Sequence, residues 1–491
     1  MNILKSNHMG AKSVATNRGR ALRLLMLAVV LALAACAELP PADPATTLGG
    51  PQVGDFIAGA GGQWPGANWW STFNDAQLNT LIEQALRNSP SMEVAAARVQ
   101  QAGAQAQILT ANTGAVLTGD ASLTREHYSA NSIYPPPIGG STLNSGDVGL
   151  NFSYDIDWWG RNRSQLTAAL GRSAAAQAEA AGAAATLSAA VANVYYQWQV
   201  VSGRLALLDQ IEAQRKRLIE LEAPRVKSGI SAGDNVTPLV ADAAAPRQTR
   251  VQLETQRDQL YYQLKSLVGG NQFPQQLQVQ AMPVLERGLP PNMPLDLLAR
   301  RADVAASRER VRAALHDVDA SRAAFYPDFN LSAVVGFSSF GLSNLLQSSS
   351  RNIGVTPALH LPIFDAGRLR AKLDSSRADV KLVIAQYDQA VQTAVSDVND
   401  AAVQLQGAQR EQEALAQQLN ARKRDLASAQ RRMHAGLSDG REAVRDQLSI
   451  LGLDDQELLR QQRAISARIN LIKALGGGYQ DPDADQAISS K

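Results

Sequence analysis

The sequence predicts an internally duplicated, mostly helical fold with a β portion of four strands that forms part of a transmembrane barrel. Three observations support this fold class. Short motifs occur twice along the chain at one constant spacing. Two stretches in each half alternate apolar and polar residues, as strands with one wet face do. Long stretches that follow the strands carry apolar residues at steps of three and four, which is typical of coiled-coil helices.

The duplication rests on three pairs of motifs that are each 207 residues apart: Gly160 with Gly367 in DWWGRNR and DAGRLR, SGIS at 228–231 with AGLS at 435–438, and VGG at 268–270 with LGG at 475–477. A constant offset over more than a hundred residues is difficult to obtain by chance. We therefore expect two repeats, 71–270 and 295–478, separated by a linker at 271–294.

The strand evidence is clearest in the first repeat. Val148, Leu150, Phe152, Tyr154 and Ile156 alternate with Gly149, Asn151, Ser153 and other small or polar residues. Strands of about ten residues have the length that crosses an outer membrane when tilted. The apolar set is therefore predicted to face lipid. The four strands are expected at about 115–125, 147–158, 329–340 and 353–364.

Four strands cannot close a transmembrane barrel, because the smallest such barrels have about eight. An open strand edge in lipid leaves backbone groups unsatisfied, at a cost of several kcal/mol each. The chain is therefore expected to oligomerise, with two copies supplying eight strands or three supplying twelve.

Each pair of strands leads into a long helical hairpin, at about 159–268 and 366–475. The segment from Trp159 to about Leu221 contains no proline and would extend about 90 Å at 1.5 Å per residue. The returning helices, about 234–267 and 441–475, end at glycines. Helices of this length exceed the thickness of a bilayer several-fold, so we expect them to project into the periplasm.

The N-terminus has the features of a lipoprotein signal peptide, predicted at 1–35. A basic segment precedes a twelve-residue apolar run from Leu24 to Ala35, which is too short to span a bilayer. The run ends in Leu33, Ala34 and Ala35 before Cys36, the one cysteine of the chain, and this resembles a lipoprotein cleavage motif. Cys36 is predicted to carry a covalent lipid and to begin an anchored segment at 36–70, and 479–491 is predicted to be a flexible tail.

Composition excludes several functions. Loss of five basic signal residues would lower Lys plus Arg from 47 to 42 against 45 Asp plus Glu, for a net charge near −3, so nucleic-acid binding is not expected. A single cysteine excludes disulfides within the chain, and no metal or cofactor motif is present. No catalytic constellation is found, so we expect no enzyme. A structural coiled-coil lipoprotein explains the helices but not the strands.

Several segments, taken in order, resemble the outer membrane factors of the TolC/NodT family. They are WWSTFNDAQLNTLIEQAL at 69–86, YDIDWWGR at 154–161, LPIFDAGRLR at 361–370 and KALGGG at 473–478. The resemblance implies a TolC-like homotrimer with a twelve-stranded barrel and a periplasmic tunnel of coiled-coil helices. It implies passive export of small molecules or drugs through the outer membrane, in partnership with a periplasmic adaptor and an inner-membrane pump. A type I protein secretion role is the alternative within this family.

The resemblance also implies sites at the two hairpin turns. Gly229 and Gly436 mark the turns, which are expected to meet the adaptor. Family members carry acidic residues shortly after the second glycine, and these close the periplasmic aperture. The matching positions here are Glu442 and Arg445, so we expect Arg441, Glu442, Arg445 and Asp446 to form a network of mixed charge instead of an acidic ring.

Overall fold

The computed structural model describes residues 62–232, 236–270, 273–283 and 300–481. The predicted signal peptide, the cleavage motif and Cys36 lie outside the described residues, as do most of the linker and the tail beyond 481. Their assignments remain predictions.

In both halves, a helix leads into two strands and then into a pair of long helices. The first half has a 3₁₀ turn at Trp69–Phe73, α1 (Ala76–Asn88), α2 (Pro90–Asn112), β1 (Val116–His127), β2 (Thr142–Ile156), α3 (Arg161–Lys227) and α4 (Val236–Val268). The second half has α5 (Ala302–Ala323), β3 (Asp328–Phe340), β4 (Arg351–His360), α6 (Arg368–His434) and α7 (Arg441–Ala474).

Helices α3 and α6 contain 67 residues each. They begin at Arg161 and Arg368 and end at Lys227 and His434, so both ends keep the offset of 207 residues. A helix of this length extends about 100 Å. The duplication read from short motifs is thereby confirmed over whole helices.

The expected end of the first long helix near Leu221 is wrong, because α3 continues through Pro224 to Lys227. Proline lacks a backbone donor, but its fixed φ is helical, and the lost bond affects only the last turn here. The N–H of Ser228 donates to the carbonyl of Pro224 at 3.0 Å, so the turn still closes after the proline.

Contacts divide the chain into two compact units. The first contains Gln105–Ala169 and Ala313–Leu382 and includes β1–β4. The second contains the described residues of the ranges 62–104, 170–312 and 383–481. No helix in the part of the chain that the structure describes is long and apolar enough to cross a membrane.

The core of the second unit is built around Tyr195 of α3. Its hydroxyl donates to Asp75 at 2.7 Å and accepts from the amide of Gln77 at 3.0 Å. The other carboxylate oxygen of Asp75 accepts the N–H of Leu78 at 3.0 Å and caps α1. Burial, followed by the bond to Asp75, raises the pKa of Tyr195 far above its usual range. One carboxylate therefore both begins α1 and fixes it against α3.

Candidate functional site: strand faces and hairpin turns

One antiparallel sheet in the order β1–β2–β3–β4 carries the first candidate surface. Residues that oppose each other directly on neighbouring strands share a face. Leu150 opposes Gly119 and Val335, and Val335 opposes Ile353, so the register extends the β2 pattern across the sheet as far as Arg351, a charged residue at the start of β4. We define the apolar strand face as Leu117, Gly119, Ala121, Leu123, Val148, Leu150, Phe152, Tyr154, Ile156, Phe329, Leu331, Ala333, Val335, Phe337, Ile353, Val355, Pro357 and Leu359.

The apolar strand face is exposed in the isolated chain. Leu150 is 52% exposed, Val335 55% and Val355 67%, although each is a large aliphatic residue. A continuous apolar surface over several strands is not left to water in ordinary soluble proteins. The five residues predicted to face lipid all lie on this face, and the prediction that they contact lipid stands as a proposal.

The opposite side is the polar strand face, which includes Thr118, Asp120, Ser122, Asp147, Asn151, Ser153, Asp155, Asn330, Ser332, Asn352 and Thr356. Amide side chains on this face donate to carboxylates of the neighbouring strand. Asn151 donates to Asp120 at 2.7 Å, and Asn330 donates to Asp155 at 2.5 Å. The sheet therefore separates an apolar surface from a hydrogen-bonded polar surface.

Strands β1 and β4 form the two edges of the sheet, and neither has a second partner strand within the described residues. Register pairs β1 only with β2 and β4 only with β3, over twelve and ten residue positions respectively. Each edge therefore presents a row of backbone donors and acceptors for another chain.

The second candidate surface lies at the hairpin turns, where Gly229 and Gly436 have φ of +70° and +68°. The N–H of the next residue, Ile230 or Leu437, donates back to Arg225 or Arg432, at 2.9 Å in both turns. This is the Schellman helix ending, in which a left-handed glycine stops the helix. The residue after the glycine usually packs on its helix, but Ile230 is 67% exposed and Leu437 78%. Each turn therefore projects one aliphatic side chain.

Beside the turns, four charged residues form what we call the hairpin ion cluster: Glu222, Arg225, Asp439 and Arg441. Glu222 is 2% exposed and accepts hydrogen bonds from Arg441 and from Ser231. Arg441 also donates through Nε to Asp439 at 2.9 Å, and Arg225 lies 3.1 Å from the same carboxylate. The cluster joins the end of α3 to the start of α7.

The cluster keeps both carboxylates ionised. The hydroxyl of Ser231, together with the guanidinium of Arg441, outweighs desolvation and lowers the pKa of Glu222. Burial raises the pKa of Asp439, but the N–H and guanidinium of Arg441 outweigh it, so that pKa is also lowered. A buried carboxylate with these donors is stabilised only while Arg441 stays in place.

The four residues predicted to form a mixed-charge network lie in different environments. Arg441 belongs to the hairpin ion cluster, and Glu442 accepts a hydrogen bond from Arg432 of the same chain. Arg445 is exposed and Asp446 half-buried, and no ion pair joins either of them to a side chain in the described ranges. The chain itself therefore pairs Arg441 and Glu442, and a network between subunits stays a prediction.

Sequence reasoning missed Glu222, Arg225 and Asp439. Glu222 stands in the charged run RKRLIELEAPRVK, where nothing distinguishes it from an exposed helix residue. One signal was available for Arg225, because the offset of 207 aligns it with Arg432, and each arginine pairs with a carboxylate near the start of α7.

These features together define a class of protein: a membrane channel subunit, with an unclosed sheet that is apolar on one side, and a duplicated hairpin of long helices. Comparison with known proteins gives the family. The family of outer membrane efflux proteins matches residues 81–270 and 293–477, and the chain belongs to it. Its two matched stretches confirm the duplicated, TolC-like fold.

Curated relatives agree with this assignment. The chain is 35% identical over 425 residues to the multidrug resistance outer membrane protein MdtQ of Escherichia coli O6:H1, covering 85% of this chain and 89% of MdtQ. It is 33% identical over 438 residues to MdtP of Escherichia coli K12, covering 87% and 90%.

Among solved structures, the outer membrane protein VceC of Vibrio cholerae superimposes with a TM-score of 0.77 at 31% identity, covering 85% of this chain and 100% of VceC. The chain is therefore an outer-membrane efflux channel protein, and its role is transport rather than catalysis.

Proposed function

We propose that three copies of this chain form the exit duct of a tripartite efflux pump. Their twelve strands would close one barrel in the outer membrane, and their helices would form a tunnel in the periplasm. The duct would conduct small molecules passively, including compounds of the kind for which the multidrug resistance relatives are named. A periplasmic adaptor and an inner-membrane pump would supply the substrate and the energy.

The observation that supports this proposal is the pair of free sheet edges beside an exposed apolar face. In an outer-membrane protein such edges lie against lipid, where each unpaired backbone group costs several kcal/mol. Pairing β1 of one copy with β4 of the next satisfies the backbone donors and acceptors of both free edges. It also repeats the antiparallel order around a ring.

Copy number follows from what the barrel encloses. Eight strands, from two copies, give a barrel whose interior is about filled by side chains, whereas larger barrels leave an aqueous channel. An export duct needs the open interior. Three copies supply it, and the polar strand face then lines the water-filled side.

The remaining partners attach at the two ends of the proposed duct. A lipid on Cys36 would anchor the N-terminus in the inner leaflet of the outer membrane. The turns at Gly229 and Gly436 would dock the adaptor, because each projects an aliphatic side chain that water does not stabilise. The hairpin ion cluster would hold the aperture closed within each chain, with Arg445 and Asp446 available for contacts between chains.

Purified protein tests the proposal directly. We expect a particle of three chains by mass measurement in detergent, and stepwise ion conductance when it is added to planar lipid bilayers. A folded monomer without conductance would exclude the duct, and would leave a structural lipoprotein as the explanation of the long helices.

A further inference from the structure

Two strand-to-helix junctions, from β2 to α3 and from β4 to α6, carry charged and aromatic residues that the proposed duct does not use. An aspartate precedes each helix. Asp157 accepts the N–H of Arg163 at 2.9 Å, and Asp365 accepts the N–H of Leu369 at 2.8 Å. At each junction a first-turn N–H is therefore already bonded to the chain's own aspartate, whose negative charge also disfavours a second anion at the end of the helix.

Arginines stand one and three residues after the junction glycine in both repeats, at 161, 163, 368 and 370. Arg161 donates to both carboxylate oxygens of Asp328, at 3.3 and 3.2 Å. The side chains of Arg163 and Arg368 are exposed, and no carboxylate pairs with either within the ranges that the structure describes. One guanidinium group at each junction therefore remains available for an external anion, although the two arginines do not occupy equivalent positions of the repeats.

Large apolar side chains lie four to five residues before these arginines in the sequence. Trp158 is 66% exposed, and its ring packs edge-on against Phe329 at 4.5 Å between centroids. Because Phe329 belongs to the apolar strand face, Trp158 continues that face beyond the last paired residue, Ile156. At the other junction Ile363 is 71% exposed and Phe364 89%.

We propose that Arg163 and Arg368 bind phospholipid phosphates at the edge of the membrane from which the long helices leave, with Trp158 and Phe364 between the lipids beside them. The proposal rests on the lipid-facing side assigned to the sheet under the proposed function. A planar guanidinium donates two parallel hydrogen bonds to a phosphate, and its aliphatic stem crosses apolar surface. Tryptophan is enriched at the boundary between bilayer and water, where one edge of its ring contacts water and the rest lies in apolar surroundings.

The apolar surroundings favour a lipid over a free anion. An inorganic phosphate would gain nothing from Trp158, Ile363 and Phe364, whereas a phospholipid places its acyl chains against them. The site therefore requires a lipid with a phosphate in its head group and with acyl chains that pack along the apolar strand face.

Lipid retention by the full-length protein tests this site. Protein purified in micelles with phosphatidylglycerol should retain several-fold more of that lipid than of a diacylglycerol with the same chains but no phosphate. The double variant Arg163→Gln with Arg368→Gln should lose most of the difference. The control is Arg217→Gln with Arg422→Gln, which removes the same charge at side chains that are 61% and 52% exposed.

Three outcomes would overturn the proposal: retention in the junction variant equal to that in the unmodified protein, an equal loss in the control variant, or full displacement of the lipid by inorganic phosphate. Bilayer conductance measured on the same samples separates this proposal from the duct. If the unmodified protein conducts but the junction variant retains as much lipid as it does, only the lipid site is excluded. If the unmodified protein does not conduct, the duct is excluded.

A milder variant protects the test against misfolding. Trp158→Phe keeps an aromatic ring against Phe329. If Trp158 lies between lipids, this variant should lose most of the tryptophan quenching caused by phospholipids brominated near the head group, and unchanged quenching would place the ring outside the bilayer.

Discussion

At the residue scale, Glu222 shows how one buried charge depends on its neighbours. Its side chain is 3% exposed, and its partner Arg441 is supplied by another helix. Moving Arg441 away would leave a carboxylate buried without a counterion, which is strongly unfavourable. The hairpin ion cluster therefore favours the arrangement in which α3 and α7 stay together.

We predict that Glu222→Gln raises the single-channel conductance of reconstituted protein, because the neutral amide holds Arg441 less strongly and the closed aperture loses stability. The matched control is Glu220→Gln, at a side chain that is 50% exposed and pairs with Arg217 at 3.5 Å. An exposed pair of this kind contributes only about 0–1 kcal/mol, so conductance should not change. Equal conductance of both variants and the unmodified protein would show that the cluster does not hold the aperture.

The same cluster predicts a pH dependence. Glu222 and Asp439 have pKa values below their ordinary values of 4.5 and 3.8. Groups with lowered pKa contribute stability above the ordinary value and lose it as pH falls through the lowered one. Conductance should therefore be constant above pH 4.5 and rise on acidification below it, with a smaller rise in Glu222→Gln. A rise that begins near neutral pH would indicate a different titrating group.

Adjacent residues of β2 give the sharpest test of the strand faces. Phe152 lies on the apolar strand face and Ser153 on the polar one. An arginine on the lipid side near the middle of a bilayer costs about 2–4 kcal/mol in transmembrane barrels. We predict that Phe152→Arg reduces the amount of assembled protein in outer-membrane fractions and that Ser153→Arg does not. The reverse ranking would assign the opposite face to lipid.

The sequence was sufficient to assign the residues of β2 to the two faces of the sheet, but not those of the neighbouring strands, for a physical reason. Its apolar residues are large, so alternation is visible without a structure. On β1 and β3, small residues such as Gly119 and Ala333 occupy the apolar strand face, and Val334 occupies the polar one. Only the register with β2 shows which side these residues share. For the same reason Glu222 could not be found, because its burial depends on a contact with α7, 219 residues away.

At the element scale, the two repeats end their long helices in the same way. The glycine at each turn has a positive φ, and the start of α7 adds a third, Gly440, at +84°. A Cβ on Gly440 would lie 2.8 Å from the sulfur of Met433, whereas a Cβ on Gly436 would meet nothing within 4 Å. The cost of a side chain is therefore conformational at Gly436, and both conformational and steric at Gly440.

We predict that Gly436→Ala destabilises the second turn by roughly 1–2 kcal/mol, the cost of a left-handed conformation for alanine, and that Gly440→Ala costs more. The control is Gly452→Ala inside α7, where a Cβ meets nothing within 4 Å of the chain and φ is helical. Alanine should stabilise that helix by about 1 kcal/mol. Hydrogen exchange of the amides of the turn and of α7 measures all three. Equal exchange in the Gly436 and Gly452 variants would contradict the argument.

The positions of helices and strands were predicted closely where periodicity decides them. Their first and last residues were predicted less well. Strand β2 begins at Thr142, several residues before the expected 147, because Leu143, Ser145 and their neighbours pair with β1 although their pattern is irregular. Strand β4 ends at His360 and not near 364. Pairing with another strand, rather than hydrophobic pattern, sets where a strand stops.

At the scale of the whole molecule, duplication explains why one chain carries an even number of strands and two equivalent hairpins. Each repeat brings two strands and one hairpin, so the described sheet has one apolar side formed by both repeats. The free edges β1 and β4 then belong to different repeats. Pairing β1 of one copy with β4 of another would continue the alternation of repeats from chain to chain.

A lipid on Cys36 would affect how the whole chain is held at the membrane. Cys36 follows an apolar run that is too short to span a bilayer, and small residues precede it, so we expect cleavage before Cys36 and acylation of its side chain. Cells grown with labelled palmitate should label the unmodified protein and not Cys36→Ala. A lipid anchor holds a protein in a membrane less firmly than an inserted segment does, so an inserted barrel should not depend on it. Cys36→Ala protein that reaches the outer membrane should therefore conduct as the unmodified protein does, and its amount there should fall.

The control is Ala37→Ser, which changes the residue beside the cysteine and should keep the label. Label that persists in Cys36→Ala would exclude acylation at this cysteine, and loss of conductance from correctly located Cys36→Ala protein would show that the anchor, not the barrel, holds the channel in the membrane.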